Sequence, residues 1–433
     1  MLRILFLLLV LLTGCKSSEP ISNDTGPLID ELTQPLEREE TNSNIIQLRF
    51  WTFHQAKEME FMRDLAEQYR DLHPEVDIKI DYVPSDDYFH GTRLISAFAS
   101  GQGPDIFLVS SGNISKFIDA QIVQPLTSLF TPTIKNDFSE NSLASVTSGD
   151  EIYAVPFEVE LLGLYYNEHM FQEQGLEAPK TWDEMMNAAR KLRTESVSGL
   201  TVETFDSVYQ TFTWLPFLWQ TGADLFSQMD GSSGLLQPES VKMYDFFKQM
   251  RDEKLLNLSP SRPTNDIGIL ASGETAMQVS GTWNISAIEQ IYSRVPIHVV
   301  PLPIPDGGKP ANIAGGWKIA VNRNSKHVDE AGKFVMWAFA EDTANALKWV
   351  SEVKFAYSPR KSVMLEGKDF YKKGLRSVFT DQIYGTERSE PRLPGEVSQI
   401  FNDSIQDILF RSVSAEDAVR RVNNQLNAYI TGK

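Results

Sequence analysis

The chain has 433 residues, 42% of them apolar. That is more than one hydrophobic core absorbs, since single cores stop growing at roughly 250 to 300 residues, so two lobes are expected. A formal net charge of -18 excludes a nucleic-acid partner, which needs a basic surface to displace phosphate counterions; the acidity names no ligand, because surface carboxylates also serve solubility.

At the N-terminus, Arg3 precedes the unbroken apolar run Ile4 to Leu12. This run is too short to span a bilayer but has the length of a signal-peptide core. Leu12-Thr13-Gly14-Cys15 resembles the bacterial lipobox, which implies cleavage before Cys15 and lipid transfer to its thiol. Residues 1–14 are then the signal and residues 15–44 a lipidated tether, with the membrane as a partner through that anchor. Two or more acyl chains hold a protein stably at a membrane where one does not. Cys15 is the single cysteine, so the mature chain has no internal disulfide. Lys16 to Asn44 is poor in apolar residues and cannot offset its own ordering entropy; as a flexible coil it reaches about 30 Å.

Order is expected from Ile45 to Trp51, a run suited to a buried strand. Met62, Leu65, Ala66, Tyr69 and Leu72 recur at helical spacing up to Pro74. Val76, Ile78, Ile80 and Tyr82 alternate as a strand, Leu94 to Phe98 read as helix, and Ile106 to Val109 as a third strand. This β-α-β-α-β order predicts a parallel sheet covered on both faces, with ligands beyond the carboxyl ends of the strands. Thr181-Trp182-Asp183-Glu184 predicts a capping box and a helix ending near Lys191 and Arg193. Five prolines between Pro296 and Pro310 rule out regular structure for much of that stretch and mark a crossing between lobes. Helix returns at Val397 to Ser412 and again after Ser414, with Asp417 three residues past that cap.

The six histidines lie far apart and none forms H-E-x-x-H, so no metal site is expected. No phosphate-binding G-x-x-x-x-G-K-S/T or nucleophile elbow is present either. No cofactor and no catalytic residue are expected, although 58 Asp and Glu leave a glycoside hydrolase, which needs only two carboxylates, as an open alternative. What the chain does offer is aromatics beside glycines and short polar residues: Phe50-Trp51-Thr52-Phe53-His54, Gln278-Val279-Ser280-Gly281-Thr282-Trp283 and Gly315-Gly316-Trp317-Lys318. A sugar presents flat C–H faces and a belt of hydroxyls, which suit aromatic platforms and fixed hydrogen-bonding groups. Each tryptophan, taken singly, is also a core residue. Glu160, in an apolar setting, must pair, bind a ligand or sit at a cleft edge; Arg360 is one candidate partner and sugar hydroxyls are the other.

In sequence order these segments resemble the extracellular solute-binding proteins of ABC importers, in the group that includes maltose-binding protein. The likeness runs from Leu48 to the C-terminus. It includes Gly101-Gln102-Gly103-Pro104-Asp105, Pro156 to Glu160, Tyr165-Tyr166-Asn167, Pro179-Lys180-Thr181-Trp182-Asp183-Glu184, Phe212-Thr213-Trp214, Gly281-Thr282-Trp283, Gly315-Gly316-Trp317 and Ser358-Pro359-Arg360. It implies a two-lobed α/β periplasmic-binding-protein-like fold of type II, with residues 45–158 and 305–353 in one lobe and 159–304 and 354–433 in the other. The ligand cleft lies between lobes joined by hinge crossings and closes on its ligand. The implied function is sugar capture by a monomeric lipoprotein outside the cytoplasm and delivery to the transmembrane subunits of an ABC permease. Carried over residue by residue, the implied contacts are Trp51, Phe53, His54, Gln55, Ser110, Ser111, Gly112, Glu160, Trp214, Gly281, Thr282, Trp283, Gly316, Trp317 and Arg360. Val109 and Gly112 depart from the pattern of the maltose binder. A polyol phosphate held by Arg360 or His54 therefore stays open, as do iron capture by Tyr165-Tyr166 and service to a membrane receptor.

Overall fold

The computed structural model describes residues 45–432 except 86, 87, 89–91, 228–230 and 237; the expected export signal, Cys15 and the expected tether lie outside the described residues. The first three strands are β1 (Ile46–Thr52), β2 (Val76–Tyr82) and β3 (Ile106–Ser110). They pair in parallel, β1 at the centre. The helix Ala56–Leu72 buries Met62, Leu65, Ala66 and Tyr69, the stripe expected from their spacing. Leu72, its last member, is exposed. There the His73 amide closes onto the Tyr69 carbonyl and the chain turns away ahead of Pro74, which cannot continue a helix.

The chain then adds β4 (Val155–Pro156), β5 (Leu162–Asn167), β6 (Ser198–Thr201), β7 (Thr275–Gly281), β8 (Ile297–Val300), β9 (Asn312–Ala314), β10 (Trp317–Val321) and β11 (Glu387–Ser389). Two main sheets result, ordered β2-β1-β3-β10-β4 and β8-β5-β7-β6, with β9 and β11 paired separately. The first sheet is mixed rather than all parallel, because β10 returns late in the chain and runs antiparallel to both β3 and β4. Thr181 caps the helix Trp182–Leu192 in a complete capping box with Glu184. Helices Gly395–Phe410 and Ala415–Thr431 occupy the expected C-terminal positions, the second capped by Ser414.

The proline-rich stretch is more regular than its composition suggests. β8 fits between Pro296 and Pro301 and pairs with β5, since neither proline occupies a position that must donate within it. The crossing begins after β8. In all, the chain passes three times between the two sheets or the helices packed on them, near 157–161, 301–316 and 354–360, and these crossings are hydrogen-bonded to one another. Phe157 donates to the Trp317 carbonyl and Gly315 to that of Glu160, while Val159 and Tyr357 exchange both backbone bonds at 2.8 and 2.9 Å. Apolar packing is continuous through this region: the cluster built on Leu48, Phe50 and Ile106 runs on into Leu161, Tyr165, Phe355 and Tyr357. Among the described residues, no helix is long and apolar enough to cross a membrane.

Candidate functional site

A cavity of about 220 Å³ opens beside the crossings. Phe53, just past the carboxyl end of β1, and Trp317, at the start of β10, wall it from the first sheet, their ring centroids 4.7 Å apart. Tyr209 and Phe212 come from the helix Val208–Gln220, and Trp283 from the turn after β7. Tyr209 meets the Trp283 ring edge-on at 5.9 Å, a favoured aromatic geometry.

Glycines let these rings approach. A Cβ on Gly281 would lie 1.9 Å from the Trp283 ring, and one on Gly315 would lie 2.3 Å from Phe212. Gly316 has φ +96° and sits where a Cβ would come within 2.3 Å of the Glu158 carbonyl. Side-chain-free backbone here is a steric necessity.

The polar part of the wall is unusual in charge. Glu160, on the first crossing, accepts from the Thr282 hydroxyl at 2.7 Å and the Trp283 amide at 3.1 Å. Its other oxygen lies 2.5 Å from the Lys354 ammonium. Lys354 also donates to Glu158 at 2.8 Å, and the Trp349 indole donates to the second Glu158 oxygen. One lysine from the third crossing is thus clamped between two carboxylates of the first. Burial opposes charge on Lys354, but attraction to Glu158 and Glu160 wins and holds its pKa above the ordinary value. Burial likewise raises the Glu160 pKa, only partly offset by Lys354. Glu58, which lines the cavity, is pushed up to about 7 by burial. Glu390 is raised by burial too, against the pull of Lys318. Lys318 in turn is lowered to about 8 by its own burial and donates to the Gly316 carbonyl.

Of the residues expected at the site from sequence, the structure brings Phe53, Ser110, Glu160, Trp283, Gly316 and Trp317 to this cavity. Thr282 and Gly281 stand directly behind it, orienting Glu160 and seating Trp283. The others are elsewhere. Trp214 is wholly buried, its indole donating to the Glu203 carbonyl and its ring against Phe247, because a helix buried all round turns this position into the second core. Trp51 is buried on its strand, with the guanidinium groups of Arg49 and Arg93 5.3 and 5.7 Å from its ring. His54 is buried beside Trp349, and burial with the nearby Lys354 holds its pKa well below the usual value; it is neutral and offers no cation to a phosphate. Gln55 points to solvent and binds the Tyr82 hydroxyl. Arg360 does not reach Glu160: it is paired with Asp137 at 2.8 Å and lines a separate cavity of about 320 Å³, together with Ser111. Gly112 lies at the start of the helix Ser111–Asp119, against Glu390.

Glu58, Tyr209, Asn265, Lys354 and Glu390 also line the cavity and were not anticipated. Lys354 and Glu390 sit near other charges, Glu352 beside the first and Glu387, Arg388 and Arg392 around the second, and no local pattern singles them out. Tyr209 lies within one helix turn of Phe212, so the aromatic spacing was a usable signal.

Comparison with known proteins accords with this architecture. Residues 55–345 match the family model of the bacterial extracellular solute-binding protein. The maltotriose-binding protein of Pyrococcus abyssi is 26% identical over 66% of this chain; the match spans 61% of that protein, less than two thirds of its length. Among solved structures, maltose-bound T. maritima MalE3 superposes with a TM-score of 0.77 at 21% identity, covering 89% of this chain and 100% of that one. UgpB from Mycobacterium tuberculosis, in complex with glycerophosphocholine, gives 0.76 at 19% identity over 89% and 98%. The fold is therefore the two-lobed α/β periplasmic-binding-protein fold, and the chain belongs to the bacterial extracellular solute-binding protein family.

Proposed function

We propose that the chain captures a sugar, mono- or oligosaccharide, in the 220 Å³ cavity and delivers it to the membrane subunits of an ABC importer. One observation carries this reading: aromatic rings converge on one cavity from different elements, Phe53 and Trp317 from the ends of β1 and β10, Trp283 from the turn after β7, and Tyr209 and Phe212 from the helix Val208–Gln220, with Glu160 held on a crossing beside them. Such walls match the apolar faces of a pyranose ring, and a pre-oriented carboxylate accepts its hydroxyls. The maltotriose and maltose bound by relatives favour the same ligand class. Contact with both lobes ties occupancy to closure, so loaded and unloaded proteins present different surfaces to a permease.

In this reading the lobes divide at the three crossings, the protein works outside the cytoplasm as a monomer, and Cys15 holds it at the membrane. It releases its ligand unchanged, since nothing about a carboxylate locked onto Lys354, Thr282 and Trp283 frees it for proton transfer. Titration calorimetry of the purified protein against neutral mono- and oligosaccharides tests the reading. A micromolar ligand corresponds to about 8 kcal/mol. Trp283→Ala and Trp317→Ala are each expected to weaken the best ligand at least tenfold, about 1.4 kcal/mol. Trp214→Ala instead costs about 3–5 kcal/mol of stability. Hydrolysis of the ligand, or full affinity in both cavity variants, rejects the proposal.

A further inference from the structure

The fold does not set whether its ligand carries an anionic group: the T. maritima structure holds maltose, and the M. tuberculosis structure holds glycerophosphocholine, a zwitterion with a phosphodiester anion. In this chain the residues facing the cavity do. Three carboxylates, Glu58, Glu160 and Glu390, line it, and among the described lining residues Lys354 is the one cation. Lys354 is already held by Glu158 and Glu160 at 2.8 and 2.5 Å. Arg360 is turned to Asp137, and Lys318 to a backbone carbonyl. Among the described lining residues, no cation is free to meet a phosphate or a sugar acid.

Glu390 adds a second layer. It follows β11, whose partner β9 contributes Ile313 to the second core, yet its carboxylate lies across the cleft on the helix Ser111–Asp119. There the Ser111 and Gly112 amides and the Ser111 hydroxyl stand close to it and favour its charged form against burial. The fit is close: a Cβ on Gly112 would stand 2.7 Å from the Glu390 oxygen. A helix N-terminus, with free amides and a positive dipole end, is where an anion would otherwise be attracted.

We infer that Glu390 is a specificity-determining residue: its carboxylate occupies the helix end at the cavity wall that an anionic group would otherwise take, and so restricts the ligand to uncharged or cationic sugars. The inference rests on the proposed ligand cavity but is tested apart from it. Thermal-shift and calorimetric titrations compare glucose with glucose 1-phosphate and glucuronate, maltotriose as a longer neutral probe, and inorganic phosphate alone. They are run on the wild-type protein, Glu390→Ala and Glu390→Gln.

The wild type is expected to respond to neutral probes and to none of the anions at millimolar concentration. Glu390→Ala vacates the helix end and gains at least tenfold in affinity for inorganic phosphate. Glu390→Gln keeps the space filled without the charge and gains less. Wild-type binding of glucose 1-phosphate or glucuronate as tight as that of the neutral probes overturns the inference. So does a folded Glu390→Ala protein, or a folded Glu390→Gln protein if the alanine variant does not fold, that gains no anion affinity. A phosphate gain in Glu390→Ala with no neutral sugar bound by any form rejects the sugar reading and leaves the role of Glu390 supported.

Discussion

Among individual residues, charge placed in a poorly solvated wall has a measurable sign. Glu58 carries a carboxyl pushed from 4.5 up to about 7 by burial. Between those values the folded chain keeps a proton that the unfolded chain releases. The stability linked to this group is complete below pH 4.5 and declines as pH rises through 7. Glu58→Gln removes that decline. Its advantage in melting temperature over the wild type should grow from pH 4.5 to 7 and level off above, worth on the order of 1–2 kcal/mol after allowance for partial exposure; a difference constant from pH 4 to 8 would contradict it. At this scale the sequence was only partly legible. Trp283 and Trp317 stood out because a glycine beside an aromatic signals close approach, and the structure shows rings laid over bare backbone. Trp214 has no glycine beside it and lies on a helix buried on every side; its place among the expected contacts came from the family resemblance alone. Glu390 and Lys354 owe their positions to partners more than a hundred residues away in sequence (Gly112 and Glu158), which short-range reading does not reach.

Among elements, the crossings set the strictest backbone demands. Gly316 joins the second crossing to β10 with φ +96° and with the Glu158 carbonyl 2.3 Å from any Cβ. Gly316→Ala combines left-handed strain with a collision against neighbouring backbone. We expect a loss of about 2–4 kcal/mol in urea unfolding, accompanied by weaker sugar binding because Glu158 and Glu160 share the displaced segment. Gly307→Ala is the control: φ is +68° but nothing lies within 4 Å, so a cost of about 1 kcal/mol is expected. Equal losses in the two variants would show that contact with the first crossing contributes nothing. Helices and strands themselves were well announced by sequence. The Thr181–Glu184 box, the stripe ending near Tyr69 and the Ser414 cap all rest on neighbours within four residues. The short strand β8 was not, since proline content argued against it and only pairing with β5 supplies its hydrogen bonds.

For the whole molecule, Lys354 ties the third crossing to the first through two buried carboxylates. Lys354→Met would leave Glu158 and Glu160 buried without a counter-charge, a loss of about 3–5 kcal/mol. Because the orphaned carboxyls can escape the penalty by taking up protons, the loss should be larger at pH 8 than at pH 5 in urea unfolding. A pH-independent loss would mean that the lysine serves only as packing. Two lobes followed from chain length alone, but the mixed order of the first sheet did not, because β10 enters it from far along the chain. That late insertion bears on how the protein is made. While the chain is still emerging from the ribosome, β3 and β4 present bare edges on either side of a missing strand, and only Trp317–Val321 can fill the gap. Until then those unpaired amides and carbonyls are open to any extended neighbour. A truncation ending before residue 317 should therefore be lost to inclusion bodies, whereas a chain reaching past Val321 seals its own sheet.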